Sequence, residues 1–180
     1  GGLYGYWTAT PSSHWKKEGG GFGFGQTTDG VNWEALPPPK AEGHCEVGAV
    51  DNVCNRYYMI IGRCPKMWTL VADRPEGPFR APAKNTVLLD KHTYFLRFLS
   101  SPDGLLVNHH CMSRNDGVFF SPLKTADVDE EGTLRLGWWK GNEKMKHRAV
   151  EVQAPATSNA IAMLGNTFSV ADGLILEGTV

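Results

Sequence analysis

Amphipathic helical periodicity is scarce in this sequence, and so is an excess of charge of either sign. Eighteen Lys plus Arg stand against nineteen Asp plus Glu, for a formal net charge of -1, and the longest basic run is Lys16-Lys17. No nucleic-acid partner is expected, because phosphate binding needs a concentrated positive surface. No apolar run approaches the ~20 residues of a membrane-spanning helix, so no membrane partner is expected either. The opening residues Gly1-Gly2-Leu3-Tyr4 lack both Met and the basic-then-apolar pattern of a secretion signal. The chain is expected to be a processed or excised part of a longer protein.

Cysteine is also sparse. Cys45, Cys54, Cys64 and Cys111 show no two-residue spacing of the zinc-knuckle kind. A chain of this size does not depend on a disulfide framework, and buried free thiols are the expectation. Cysteine usage leaves the compartment open, with an extracellular or periplasmic setting favoured. Phosphate-binding loops, dinucleotide fingerprints, serine-nucleophile elbows and zinc-protease helices are missing. No cofactor and no metal site is expected.

What the sequence does contain is 21 Gly, 11 Pro, six Trp, five Tyr and eight Phe in 180 residues. That mixture favours strands and tight turns. Three stretches read alike. The first joins Tyr4–Thr10 and Gly23–Gln26 to a turn at Asp29-Gly30 and a short strand around Trp33. The second joins Tyr57–Gly62 and Met67–Ala72 to a turn at Pro75–Gly77 and Phe79. The third joins Leu105–His109 and Val118–Pro122 to a turn at Glu131-Gly132 and Leu134–Trp138. Their openings at Tyr4, Tyr57 and Leu105 lie 53 and 48 residues apart, and two further strands, His44–Val50 and His92–Phe98, are offset by 48.

Four-stranded units recurring near this interval between Gly and Pro turns are the sequence pattern of β-propeller blades. The competing architecture is a β-sandwich with recurring strands. The expected fold is all-β: a five-bladed β-propeller, with about three blades present in residues 1–147. Residues 148–180, from Ala149–Gln153 through Ala160–Leu164 to Ser169–Val180, are expected to begin a C-terminal β-sandwich. Propellers close with at least four blades, so a second chain or a further segment is expected to complete the ring.

Innermost strands line the central channel of a propeller, and Glu46 falls on one, with Cys45, Val47, Gly48 and Ala49 around it. A carboxyl group buried among small apolar neighbours is pushed towards its neutral form, which suits a general acid. A structural Glu paired with Arg63 or Arg97 fits the same residues. Tyr94 lies 48 residues on, at the repeat-equivalent position, with Arg97 on the same strand. Tyr94 offers a ring for sugar stacking and Arg97 a donor for hydroxyls or a carboxylate, with packing between blades the alternative for both. His92, His109 and His110 are candidates to ligate a metal or to bind substrate hydroxyls at the channel mouth, with plain structural or solvent-facing histidines the alternative. Adjacent His109 and His110 point to opposite faces, so at most one reaches a given site. Trp7, Trp68, Trp138 and Trp139 are expected to fill the spaces between sheets. Asp29, Asp103 and Asp116, each followed by Gly, are read as turns.

The segment Thr28-Asp29-Gly30-Val31-Asn32-Trp33 resembles the "Ser or Thr, Asp, Gly, x, x, Trp" blade turn of the five-bladed propeller glycoside hydrolases of families 32 and 43. Glu46 followed by Asn55-Arg56-Tyr57-Tyr58-Met59-Ile60-Ile61-Gly62 is similar to their acid/base strand and the strand after it. The resemblance implies hydrolysis of furanosides, fructosides or arabinosides, by two carboxylates with Glu46 as general acid/base, and an oligo- or polysaccharide substrate. A sandwich following the propeller is a family 32 feature. This chain departs from that family in reading Cys45-Glu46-Val47 where Glu-Cys-Pro is typical. The Asn-Asp-Pro and Arg-Asp-Pro segments that supply the nucleophile and the transition-state stabiliser do not occur in it. The rival reading is a non-catalytic propeller that binds carbohydrate or protein. A phosphorylase on the same scaffold would need clustered basic residues, whereas Arg63, Arg97 and Arg114 are scattered.

Overall fold

The computed structural model describes residues 2–9, 21–41, 46–63, 66–90, 93–113, 117–151 and 173–175. The chain divides into two compact units, Gly1–Trp139 and Lys140–Val180. The second unit holds a 3-10 helix, Lys140–Met145, among its described residues. The expected start of a β-sandwich falls almost entirely outside them.

The first unit is all-β, in three antiparallel sheets. The first sheet is β1 (Leu3–Thr8), β2 (Phe22–Thr27) and β3 (Glu34–Leu36) in that order. The second is the four-stranded meander β4 (Glu46–Val53), β5 (Arg56–Arg63), β6 (Lys66–Ala72) and β7 (Val87–Leu89). The third contains β8 (Thr93–Ser101), β9 (Gly104–Ser113), β10 (Gly117–Phe120), β11 (Lys124–Val128) and β12 (Leu134–Trp138). Among the described residues no sheet closes on itself, and successive meanders packed through their faces are the local architecture of propeller blades.

Strand β5 explains why the sheets stack. Its run Tyr58-Met59-Ile60-Ile61 is fully buried. A strand buried on both faces reads as a continuous apolar run, where a half-exposed one alternates. Met59 and Ile61 pack with Phe22, Leu70 and Phe79, with Tyr6 of the first sheet against that cluster. Tyr58 and Ile60 pack on the other face with Leu96, Val107 and Leu134 of the third sheet. Each such side chain contributes roughly 1.5–3 kcal/mol of burial. Polar ties add to the first interface: the Tyr6 hydroxyl donates to the Pro75 carbonyl at 2.7 Å, and the Val47 N–H donates to Thr8 Oγ1 at 3.0 Å.

The third sheet is a four-stranded blade with one broken strand. The expected strand Val118–Pro122 ends at Phe120, and a separate strand, β11, resumes at Lys124. Both pair with β9, β10 through residues 110–113 and β11 through Leu106 and Val107. Pro122 lacks an N–H and interrupts the ladder. Its neighbour Ser121 bridges the gap, donating its N–H to the His109 carbonyl at 2.9 Å and accepting from Asn108 Nδ2 at 2.9 Å.

The blade turn after β2 is built on Asp29. Its carboxylate accepts from the N–H groups of Val31 and Asn32, both at 2.8 Å, and from Asn32 Nδ2 at 2.7 Å. These donors hold the Asp29 carboxyl well below the usual carboxylate range. Gly30 supplies the positive φ of 77°. Asp103 precedes Gly104 in a comparable hairpin, whereas Asp116 lies outside the described residues.

Two expectations about side chains are corrected. Cys54 is an exposed free thiol, because it occupies the β4–β5 turn with φ 52° instead of a core position. Cys111 is free and half-buried, and Cys45 and Cys64 lie outside the described residues. Trp7 and Trp138 are exposed, at 45% and 39%, while Trp68 packs against the core as expected.

Candidate functional site

The site is assembled where β4 and β8 begin. Glu46 is the first residue of β4 and sits opposite Gly62 of β5 in the ladder. Tyr94, near the start of β8, reaches across so that its hydroxyl donates to Glu46 Oε2 at 3.1 Å. Repeat-equivalent residues of two adjacent blades are thus joined directly. Among the described residues, Glu46 forms no ion pair with Arg63 or Arg97. Burial of Glu46, inferred from its apolar neighbours in sequence, is not what the structure shows: the carboxylate is exposed at the strand's end. The small residues beside it serve the backbone instead.

Gly48 illustrates that service. It is the unpaired residue of a bulge between Val47 and Ala49, and a Cβ there would lie 2.8 Å from the Met67 methyl and 3.1 Å from the Leu96 carbonyl. A second bulge lies on β8 between Tyr94 and Arg97, where Phe95 has φ 50°. Bulges re-aim neighbouring side chains and are frequent beside functional sites. The Arg97 guanidinium spans the two, donating to the carbonyls of Gly48 at 2.9 Å and Leu96 at 3.0 Å. It also lies over the Phe95 ring, 5.2 Å from its centroid. Its donors are engaged with the main chain between sheets, the packing alternative for this residue.

From Tyr94 a string of rings runs outward. Phe95 meets Tyr94 edge-on at 4.7 Å, His110 stands 5.7 Å from Phe95, and Phe120 stands 5.1 Å from His110. His110 is the ladder partner of Tyr94. Sequence reasoning named His110 beside His109 as a candidate but did not place Phe120 in the site. The alternation of His109 and His110 was visible, but which of them faces Tyr94 depends on the β8 register. On the outer strand Phe119 and Phe120 are 52% and 74% exposed.

His109 takes the other face and is 3% exposed, so it does not sit at a channel mouth. Its Nδ1–H donates to the His110 carbonyl at 3.1 Å, leaving Nε2 to accept from Lys124 Nζ at 3.0 Å. Cys111 Sγ lies 3.9 Å from Nδ1. Burial lowers the pKa of both His109 and Lys124 from their ordinary values. His92 and Arg114 lie outside the described residues. Among the described residues, no group of three or more His, Cys, Asp or Glu is placed to hold a metal ion, and no helix is long and apolar enough to cross a membrane.

No protein-family model matches this chain, and no curated protein does. Among solved structures it is similar to an endo-1,4-beta-xylanase from Bacteroides thetaiotaomicron, with 17% identity over 72% of this chain and 44% of that one and a TM-score of 0.49. An exo-1,5-alpha-L-arabinanase from a bovine ruminal metagenomic library gives 13% identity, 65% and 49% coverage and a TM-score of 0.46. An alpha-L-arabinofuranosidase from Clostridium thermocellum gives 17% identity, 76% and 50% coverage and a TM-score of 0.42. The chain spans about half the length of these structures.

Proposed function

We propose that the protein hydrolyses O-glycosidic bonds in furanoside-containing oligo- or polysaccharides, fructosides or arabinosides, with Glu46 as general acid/base. The observation that carries this reading is the exposed Glu46 carboxyl hydrogen-bonded by the Tyr94 hydroxyl at the adjoining starts of β4 and β8. In its acid form Glu46 donates a proton to the leaving glycosidic oxygen, and the Tyr94 hydroxyl then stabilises the carboxylate. The half-buried Phe95 ring and the exposed Phe120 offer apolar faces on which a sugar ring can stack. Glycoside hydrolysis requires a second carboxylate as nucleophile or base. That group would come from blades beyond these three sheets, on a second chain or on a further segment of the same protein.

The test is Glu46→Gln in the full-length protein, assayed on two aryl furanosides with poor and good leaving groups. Loss of proton donation should cut turnover of the poor leaving group by ~100-fold or more, and of the good one far less. Equal rates for variant and parent on both substrates would sink the assignment. A binding module is the second reading, favoured by the exposed Phe119 and Phe120 on β10. It predicts that the protein turns over neither substrate and that Glu46→Gln keeps its oligosaccharide affinity.

A further inference from the structure

Arg56 begins β5 and Gly62 lies six residues further along it, so the two are separated by ~20 Å of extended chain. Near Arg56, far from Glu46, a cavity of about 530 Å³ opens between the second sheet and the β11–β12 turn of the third. Small-ligand sites commonly have volumes in this range. Four cations, Arg56, Arg74, Arg80 and Lys84, line it with two carboxylates, Asp73 and Glu131.

Both carboxylates are already held. Arg56 Nε lies 3.2 Å from Asp73, and Lys84 is paired with Glu131. Two positive charges remain. Arg74 makes a loose pair with Glu76 at 3.9 Å. The Arg80 guanidinium has no hydrogen bond or ion pair among the described residues. Its backbone is nevertheless fixed, exchanging N–H to O bonds with Val71 at 3.0 and 2.8 Å. The opposite wall is equally constrained: the Tyr58 hydroxyl donates to the Gly132 carbonyl at 2.8 Å, and a Cβ on Gly132 would lie 2.8 Å from Arg56 Nη1. The uncommitted Arg80 guanidinium on its fixed backbone, with the loosely paired Arg74 beside it and a lining that includes Val71 and Pro82, forms a receptor for an oxyanion with an organic body. Arginine's planar fork suits carboxylate and phosphate groups alike.

We propose that this cavity binds the oxyanion of a small ligand of about sugar size, held by Arg80 and Arg74. The site does not involve Glu46 and stands whether or not the glycosidase reading does. Calorimetric titration of the full-length protein with inorganic phosphate, sodium glucuronate and neutral glucose tests it. At least one anion should bind while glucose does not, with affinity falling as salt is raised. Arg80→Gln and Arg74→Gln should each weaken binding by about tenfold, whereas Lys66→Gln, whose parent residue pairs with Asp90 elsewhere, should leave it unchanged. Tighter phosphate binding identifies a phosphorylated ligand and tighter glucuronate binding a uronic acid. Absence of binding by both anions, or wild-type affinity in a folded Arg80→Gln variant, overturns the proposal.

Discussion

The hydroxyl of Tyr94 occupies the space that a side chain on Gly62 would fill: a Cβ at Gly62 would lie 2.4 Å from that oxygen and 2.7 Å from Cζ. Gly62 is also the ladder partner of Glu46. The bare backbone of one strand therefore seats the ring that a neighbouring blade sends to the carboxylate.

Gly62→Ala should accordingly push Tyr94 off Glu46. The overpacking should cost ~1–3 kcal/mol of stability, and turnover by the full-length protein should drop by about the same factor as in Tyr94→Phe. Chemical denaturation and furanoside kinetics check both. A Gly62→Ala variant with unaltered kinetics would show that the Tyr94 contact is not used.

Arg97 separates two roles by different readouts. Its bonds to the Gly48 and Leu96 carbonyls make it a tie between β4 and β8, so Arg97→Met should destabilise the fold by ~1 kcal/mol once exposure is allowed for, with a matching fall in melting temperature. KM should stay within about twofold. A raised KM with unchanged stability would instead return Arg97 to substrate binding.

Acid should weaken the fold through His109. Its folded pKa lies below its unfolded value because burial disfavours the imidazolium. The stabilisation is thus complete above the unfolded value of about 6.5 and is lost as pH falls towards the folded one. Melting temperature should decline as pH falls through and below about 6.5, and His109→Gln should flatten that part of the profile. Asp29 and Asp129 add a decline at lower pH, where their depressed carboxyls become protonated.

Ile60→Ala removes a fully buried side chain facing the third sheet, and Ile61→Ala one facing the first. Each should cost ~2–5 kcal/mol by equilibrium unfolding. A loss near zero at either would contradict burial of β5 on both faces.

On the glycosidase proposal, the 180-residue chain assayed alone should show negligible turnover of any furanoside, since its sequence lacks the Asn-Asp-Pro and Arg-Asp-Pro segments to which the resemblance assigns the nucleophile and the transition-state stabiliser. Rapid hydrolysis of a chromogenic arabinofuranoside by this chain would refute that.

Much of the site's layout was legible in the repeat. The 48-residue offset placed Tyr94 opposite Glu46 in the blade order, and the two are in contact. The run from Tyr57 to Ile61 announced a doubly buried strand. The bulges were not legible, because Gly48 and Phe95 depart from regular pairing for reasons that lie on the neighbouring strand. The same limit hid the exposure of Glu46: small apolar neighbours suggest burial, but Gly48 is small to admit Met67 and the Leu96 backbone. Pro122 did carry a readable signal, since a residue without an N–H in a paired strand implies a break there. Whether His109 or His110 faced the site depended on a register that alternation alone does not set.

The bulge at Gly48 leaves the pairs on either side intact, Val47 with Ile61 and Ala49 with Ile60. Deleting that one residue would preserve every cross-strand partner and both core faces, while removing the carbonyl that Arg97 grips. Chain length at this point is therefore not fixed by strand pairing or by the core, and is held by the tie that Arg97 makes between the two blades. A shortened β4 among natural variants would mark lineages in which the coupling between Glu46 and its neighbouring blade has been relaxed.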